Sequence, residues 1–130
     1  MRELSATARD YFANPRHAGG LNVDEPDVTT VRVEVPMSGE ILQLQLRVNE
    51  QSVIAEAWFK AYGCGWLIAC GSLLTERITG LTLADAGRFR HHELVERLTV
   101  PPEKLHCAVL AEAALQTLTP IPSPTREEGG

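Results

Sequence analysis

At 130 residues the chain has room for one compact domain and little beyond it. Its 44% apolar and 22% charged residues are ordinary for a globular protein, and a domain of this size buries about two-thirds of its unfolded surface without needing disulfides. A net charge of −5, with no basic stripe, argues against nucleic-acid binding, which needs clustered Lys and Arg.

In chain order, Leu4 to Phe12 has apolar residues at helical spacing (Leu4, Ala8, Tyr11, Phe12) and stops at Asn14-Pro15. A polar connector follows from Asn22 to Thr30. Three alternating segments come next. Val31, Val33 and Val35 alternate with Arg32 and Glu34. Leu42, Leu44, Leu46 and Val48 alternate with Gln43, Gln45 and Arg47. Val53, Ala55, Ala57 and Phe59 alternate with Ser52, Ile54, Glu56, Trp58 and Lys60. This period-two pattern predicts three half-buried strands, and the short joints at 36–39 and 49–51 predict an antiparallel meander.

Helices then cover the sheet. They are predicted over Trp66 to Thr79 with Gly80 as cap, Leu83 to Phe89, Glu93 to Leu98, and Glu103 to Leu118 after Pro101-Pro102. Strands first and helices after predict an α+β fold, a three-stranded antiparallel β-meander packed by helices. The domain is expected over residues 1–119. Residues 120–130, rich in Pro, Ser, Glu and Gly, are expected to form a disordered tail.

The longest uncharged apolar stretch, Ala61 to Leu74, is broken by three glycines and falls short of the roughly 20 residues of a membrane span. The first five residues lack the apolar core of a signal peptide. A cytoplasmic location is therefore expected, where the three cysteines read as thiols or metal ligands rather than a disulfide framework.

If the second hairpin turns near Glu50, position 40 lies opposite about position 60. Glu40 then stands near Cys64, and the turn bearing Ser38 sits at the same end. Glu40 shares parity with Leu42 and Leu44, so it leans toward the helix-covered face. Cys64 lies between Gly63 and Gly65, which allow unusual backbone angles, and immediately precedes a helix whose dipole favours thiolate. An incidental cysteine in a glycine-rich turn is the competing reading.

Cys107 heads a stripe of Cys107, Leu110, Ala111, Ala114, Leu115 and Leu118, so core packing competes with ligation, although its first-turn position again favours thiolate. Cys70, mid-helix beside Leu67 and Leu74, reads as packing. His106 is either a ligand or a solvated helix-start histidine. A catalytic His106–Cys107 pair is disfavoured because neighbouring helical residues point about 100° apart. No catalytic residue is assigned, and the chain is expected not to be an enzyme. His17, His91 and His92 read as surface residues.

Three blocks resemble the NifU/IscU family of iron–sulfur cluster assembly scaffolds. YFANPRHAGGL resembles Y-x-NPR-x-x-G, FKAYGCGWLIACGSLLTE resembles F-K-T-Y-G-C-G-x-x-I-A-x-S-S-x-x-T-E, and VPPEKLHCAVLAE resembles L-P-P-V-K-L-H-C-S-x-L-A-E. The resemblance implies a three-stranded sheet with packed helices and a site at its end. That site is built in the family from an A-C-G-D segment, the cysteine of Y-G-C-G and the His-Cys of K-L-H-C.

Here the last two give Cys64, His106 and Cys107. The first reads Met37-Ser38-Gly39-Glu40, so Ser38 stands in place of a ligand cysteine and Glu40 in place of an aspartate. Family members assemble a [2Fe–2S] cluster with sulfur from a cysteine desulfurase, and can carry zinc in the same place. A chaperone pair reads the L-P-P-V-K segment, which corresponds here to Val100, Pro101, Pro102, Glu103 and Lys104. Glu103 replaces an apolar valine and is expected to weaken that contact. Trp66 replaces a small residue and is expected either to cover the pocket or to present a docking surface.

The expected ligand set is Glu40, Cys64, His106 and Cys107, binding iron, zinc or a weak or transient [2Fe–2S] cluster. A neutral Ser38 hydroxyl is a poor ligand for cluster iron. Two other roles stay open: a module that docks on a desulfurase without holding a cluster, and a carrier whose Cys64 or Cys107 accepts a persulfide.

Overall fold

A computed structural model of the chain describes residues 4–119; the expected tail falls outside the described residues. In order come α1 (Ala6–Ala13), β1 (Val28–Val35), β2 (Glu40–Val48), β3 (Ile54–Tyr62), α2 (Gly65–Ile78), α3 (Leu83–Ala86) and α4 (His91–Leu98). A 3₁₀ turn (Pro102–Lys104) then leads into α5 (Leu105–Leu118). The strands form one antiparallel sheet in the order β1-β2-β3, with α2 against β3 and α5 against β1 and β2. The α+β meander expected from the alternation is the fold that forms.

The sheet's helix-facing side is set by β2, whose Leu42, Leu44 and Leu46 are all fully buried. Each such leucine contributes about 1.5–3 kcal/mol by leaving water. α2 is apolar nearly all round, and it comes so close to the sheet that a Cβ on Gly71 would stand 2.7 Å from the Phe59 ring. α1 is capped by Ser5, whose Oγ accepts from the Ala8 N–H and donates to the Leu98 carbonyl. The Tyr11 hydroxyl donates to Glu76, and the Arg16 N–H to Ser72 Oγ, so α1 and its exit are tied to α2.

Three details depart from the sequence reading. The strict alternation predicted for β3 fails at its start. Arg47 pairs with Glu56 but Val48 with Ile54, so Ala55 is an extra residue in a bulge. Ile54 is therefore buried and Ala55 exposed, the reverse of the predicted parity. The hairpin also turns later than predicted: Ile41 pairs with Tyr62, which places Glu40 across from Gly63 rather than position 60. The third helix is shorter than expected, a single turn, and the fourth begins at His91.

After α1, residues 17–19 run beside the outer edge of β3. The Phe59 N–H donates to the His17 carbonyl and the Gly19 N–H to the Phe59 carbonyl, each at 2.9 Å. The chain then crosses to the open face of the sheet, where Gln45, 2% exposed, bonds both backbone groups of Leu21. Arg47 holds Glu25, Asp27 and Glu56 together and straps the connector to that face. No helix among the described residues is long and apolar enough to cross a membrane.

Candidate metal centre

Four predicted residues meet at the end of the sheet where β2 begins and β3 finishes. Glu40 is the first residue of β2 and is 7% exposed. Its side chain occupies the space that a Cβ on Gly63 would take, at 2.9 Å from Glu40 Cγ and 3.1 Å from Oε2. Gly63 and Gly65 do not adopt positive φ angles, unlike Gly19, Gly39 and Gly80. Glycine is needed at 63 for close approach rather than for unusual backbone angles, and this is the residue the sequence reading undervalued. A glycine closing a strand beside a candidate ligand was the available signal.

Cys64 caps α2, half-buried, and Cys107 lies in the first turn of α5, fully buried. Their sulfurs are 3.7 Å apart. The His106 Nε2 bonds Glu40 Oε1 at 2.7 Å and lies 3.7 Å from Cys107 Sγ. Cys107 Sγ is 4.0 Å from Glu40 Oε2. Glu40, His106 and Cys107 thus present ligand atoms within 4.8 Å of one another, and Cys64 joins through Cys107.

His106 and Cys107, although neighbours on α5, bring Nε2 and Sγ within 3.7 Å. Glu40, from another element, draws the imidazole over the thiol.

These spacings suit a tetrahedral ion. Two sulfurs bound at about 2.3 Å with a tetrahedral angle stand about 3.8 Å apart, close to the gap between Cys64 and Cys107. The short Glu40–His106 contact is a hydrogen bond that must open as a metal enters, and Nε2 is the imidazole nitrogen that faces it.

Burial raises the Glu40 pKa, but hydrogen bonds from His106, Cys64 and Ser38 outweigh it, so the carboxyl titrates below its ordinary value and is held as carboxylate. Burial pushes the Cys107 thiol well above the ordinary range, and the nearby Cys64 and Cys70 add to the effect. The expectation that the helix start would favour a Cys107 thiolate is thus corrected: desolvation outweighs a helix dipole worth about 0.3–1 kcal/mol.

Ser38 Oγ lies 3.2 Å from Glu40 Oε1, so the substituted position borders the centre and donates to its carboxylate. Cys70 is fully buried in α2, its thiol raised to about 12 by burial, as a packing residue's would be. Pro101, Pro102 and Lys104 lie just before α5; Pro101 is buried and Pro102 exposed.

Trp66 is 2% exposed, which removes the docking-surface reading, and its Nε1 is buried without a hydrogen-bond partner among the described residues. The histidines read as surface residues divide. His92 is exposed, but His17 and His91 are half-buried and hydrogen-bonded to the Ala57 carbonyl and to Glu112.

The family profile described as the NifU-like N-terminal domain matches residues 4–119. The chain is 46% identical over 107 residues to the iron-sulfur cluster assembly scaffold protein IscU of Azotobacter vinelandii, covering 82% of this chain and 84% of that one. It is 41% identical over 107 residues to the Haemophilus influenzae scaffold protein IscU, covering 82% and 85%.

Among solved structures, a putative scaffold protein for the SUF system from Fervidobacterium islandicum superposes with a TM-score of 0.64. It covers 87% of this chain and 93% of its own, at 16% identity, a likeness of fold. The profile spans the sheet and the helices, and the chain belongs to the NifU-like N-terminal domain family.

Proposed function

We propose that this protein is an iron–sulfur cluster assembly scaffold whose cargo, iron, zinc or a transient [2Fe–2S] cluster, is held by Glu40, Cys64, His106 and Cys107. The observation that carries this reading is the convergence of two thiols, an imidazole and a carboxylate at one end of the sheet, with the two sulfurs 3.7 Å apart. Relatives with the printed name of cluster assembly scaffold support it.

The donor set suits zinc or iron as two sulfurs, one nitrogen and one oxygen. It is one thiolate poorer than the family pattern, because Ser38 offers a neutral hydroxyl already engaged with Glu40. Cargo binding requires Cys107 to surrender its proton. Glu40, held as carboxylate beside it, opposes that loss, and an incoming cation is what offsets the crowding of negative charge.

The proposed setting is the cytoplasm, with a cysteine desulfurase supplying sulfur. A chaperone pair would read the segment containing Pro101, Pro102 and Lys104, less well because of Glu103. A second reading, a persulfide carrier, is favoured by one observation: Cys64 is the more exposed of the two site thiols.

Anaerobic reconstitution with iron and sulfide tests the primary reading. The wild type should hold a [2Fe–2S] cluster weakly and Ser38→Cys should hold it longer, read from iron and acid-labile sulfide per monomer. A wild-type cluster as persistent as that of Ser38→Cys would show that the ligand set is not short of a thiolate. Absence of bound metal in both would leave the carrier, whose mass rises by one sulfur after incubation with desulfurase and cysteine.

A further inference from the structure

We propose that the outer edge of β3 at Ala61 is a docking site for an extended segment of a partner protein, one carrying an acidic side chain next to an apolar one. Along a strand of an antiparallel pair, residues alternate between bonding across the pair and sending their N–H and C=O outward. Phe59 sends its N–H and C=O outward to His17 and Gly19, so on the β2 side it is a non-bonded pair with Leu44. Two residues on, Ala61 opposite Leu42 has the same phase, and its N–H and C=O also point outward.

Residues 17–19 cover the edge only as far as Phe59. Gly19, at φ +140°, then turns the chain away over the Lys60 side chain, and Ala61 finds no backbone partner there among the described residues. An uncovered strand edge invites another strand, and this protein already uses the same edge for a parallel segment of its own.

The surroundings specify the occupant. Ala61 lies in an open groove of about 350 Å³, lined also by Phe12, Lys60, Tyr62 and Ile68. Phe12 is 41% exposed and Tyr62 61%, unusual for aromatic side chains beside a core and suited to receiving an apolar side chain. Lys60 is exposed and forms no salt bridge among the described residues, whereas Arg32 and Arg47, the other basic side chains of the strands, do, so it favours a carboxylate in the incoming segment. This chain's own residues 120–130 fit poorly, because Glu127 and Glu128 are flanked by Arg126 and Gly129 rather than by an apolar residue.

The test pans a phage-displayed random heptapeptide library on the full chain and titrates the enriched peptides. Enriched sequences should place Asp or Glu beside an apolar residue, and peptide binding should slow hydrogen exchange at the Ala61 amide. Ala61→Pro removes the outward donor without breaking the β2 ladder, and should cut affinity about tenfold or more, the loss expected for one hydrogen bond and its strand geometry. Lys60→Glu should invert the acidic preference, and carries the test alone if Ala61→Pro lowers the native circular dichroism.

Enrichment no better than background, equal binding by both variants, or peptides lacking acidic residues would overturn the proposal. So would tighter peptide binding after removal of residues 120–130, which would make the chain's own tail the occupant. Self-association abolished by Ala61→Pro would do the same, since the occupant would then be a second copy.

Discussion

Replacing Gly63 with alanine puts a methyl group where Glu40 already lies. The added carbon would stand 2.9 Å from Glu40 Cγ, 3.1 Å from its Oε2 and 3.1 Å from Leu67 Cδ2. Ordinary carbon contact begins near 3.5 Å, so the Glu40 stem must retreat by about half an ångström. Neither neighbour moves freely, since Glu40 is 7% exposed and Leu67 fully buried.

Overpacking of this kind costs about 1–3 kcal/mol of stability. The displaced carboxylate loosens its 2.7 Å bond to His106, so zinc affinity should fall by about 10–100-fold, the usual loss when a ligand's support is disturbed. Competition titration against a chromophoric chelator measures the affinity, and thermal unfolding the stability. Gly65→Ala is the control: its Cβ would press on Leu4 and Phe12 at 3.3 Å, away from Glu40, and should cost stability with little loss of affinity. A folded Gly63→Ala with wild-type zinc affinity would refute the placement of Glu40 in the centre.

Cys64→Ala should sharply reduce zinc affinity while Cys70→Ala leaves it unchanged, and chelator competition yielding equal losses would show the pocket misassigned. Zinc affinity should rise with pH. The Cys107 thiol, raised by burial, stays protonated through neutral pH and must release its proton, so each proton displaced contributes about tenfold per pH unit, read by chelator titration across a pH series. Deleting residues 120–130 should leave the melting temperature and zinc binding unchanged, by differential scanning fluorimetry and the same titration.

The meander was legible because β2 alternates cleanly, Leu42, Leu44 and Leu46 against Gln43 and Gln45, and only one face can be buried. The bulge was not, since Ala55 is as apolar as its neighbours and nothing local marks it as the extra residue. The hairpin register depended on Asn49, whose Oδ1 accepts from the Gln51 and Val53 N–H groups and widens the turn, a contact spacing alone does not reveal.

Parity placed Glu40 toward the helices, near Cys64, and motif resemblance supplied the other candidates. The contact between His106 and Cys107 and the raised Cys107 thiol were hidden. One depends on a carboxylate arriving from another element, and the other on how deeply α5 packs against the sheet.

X-ray absorption at the zinc edge of the zinc-loaded full chain tests most directly whether these four side chains form one centre. Two sulfur scatterers near about 2.3 Å and two nitrogen or oxygen scatterers near about 2.0 Å are predicted, with one sulfur lost in Cys64→Ala and none in Cys70→Ala. A shell of three sulfurs, or one unchanged by Cys64→Ala, would contradict the assignment of Glu40, Cys64, His106 and Cys107.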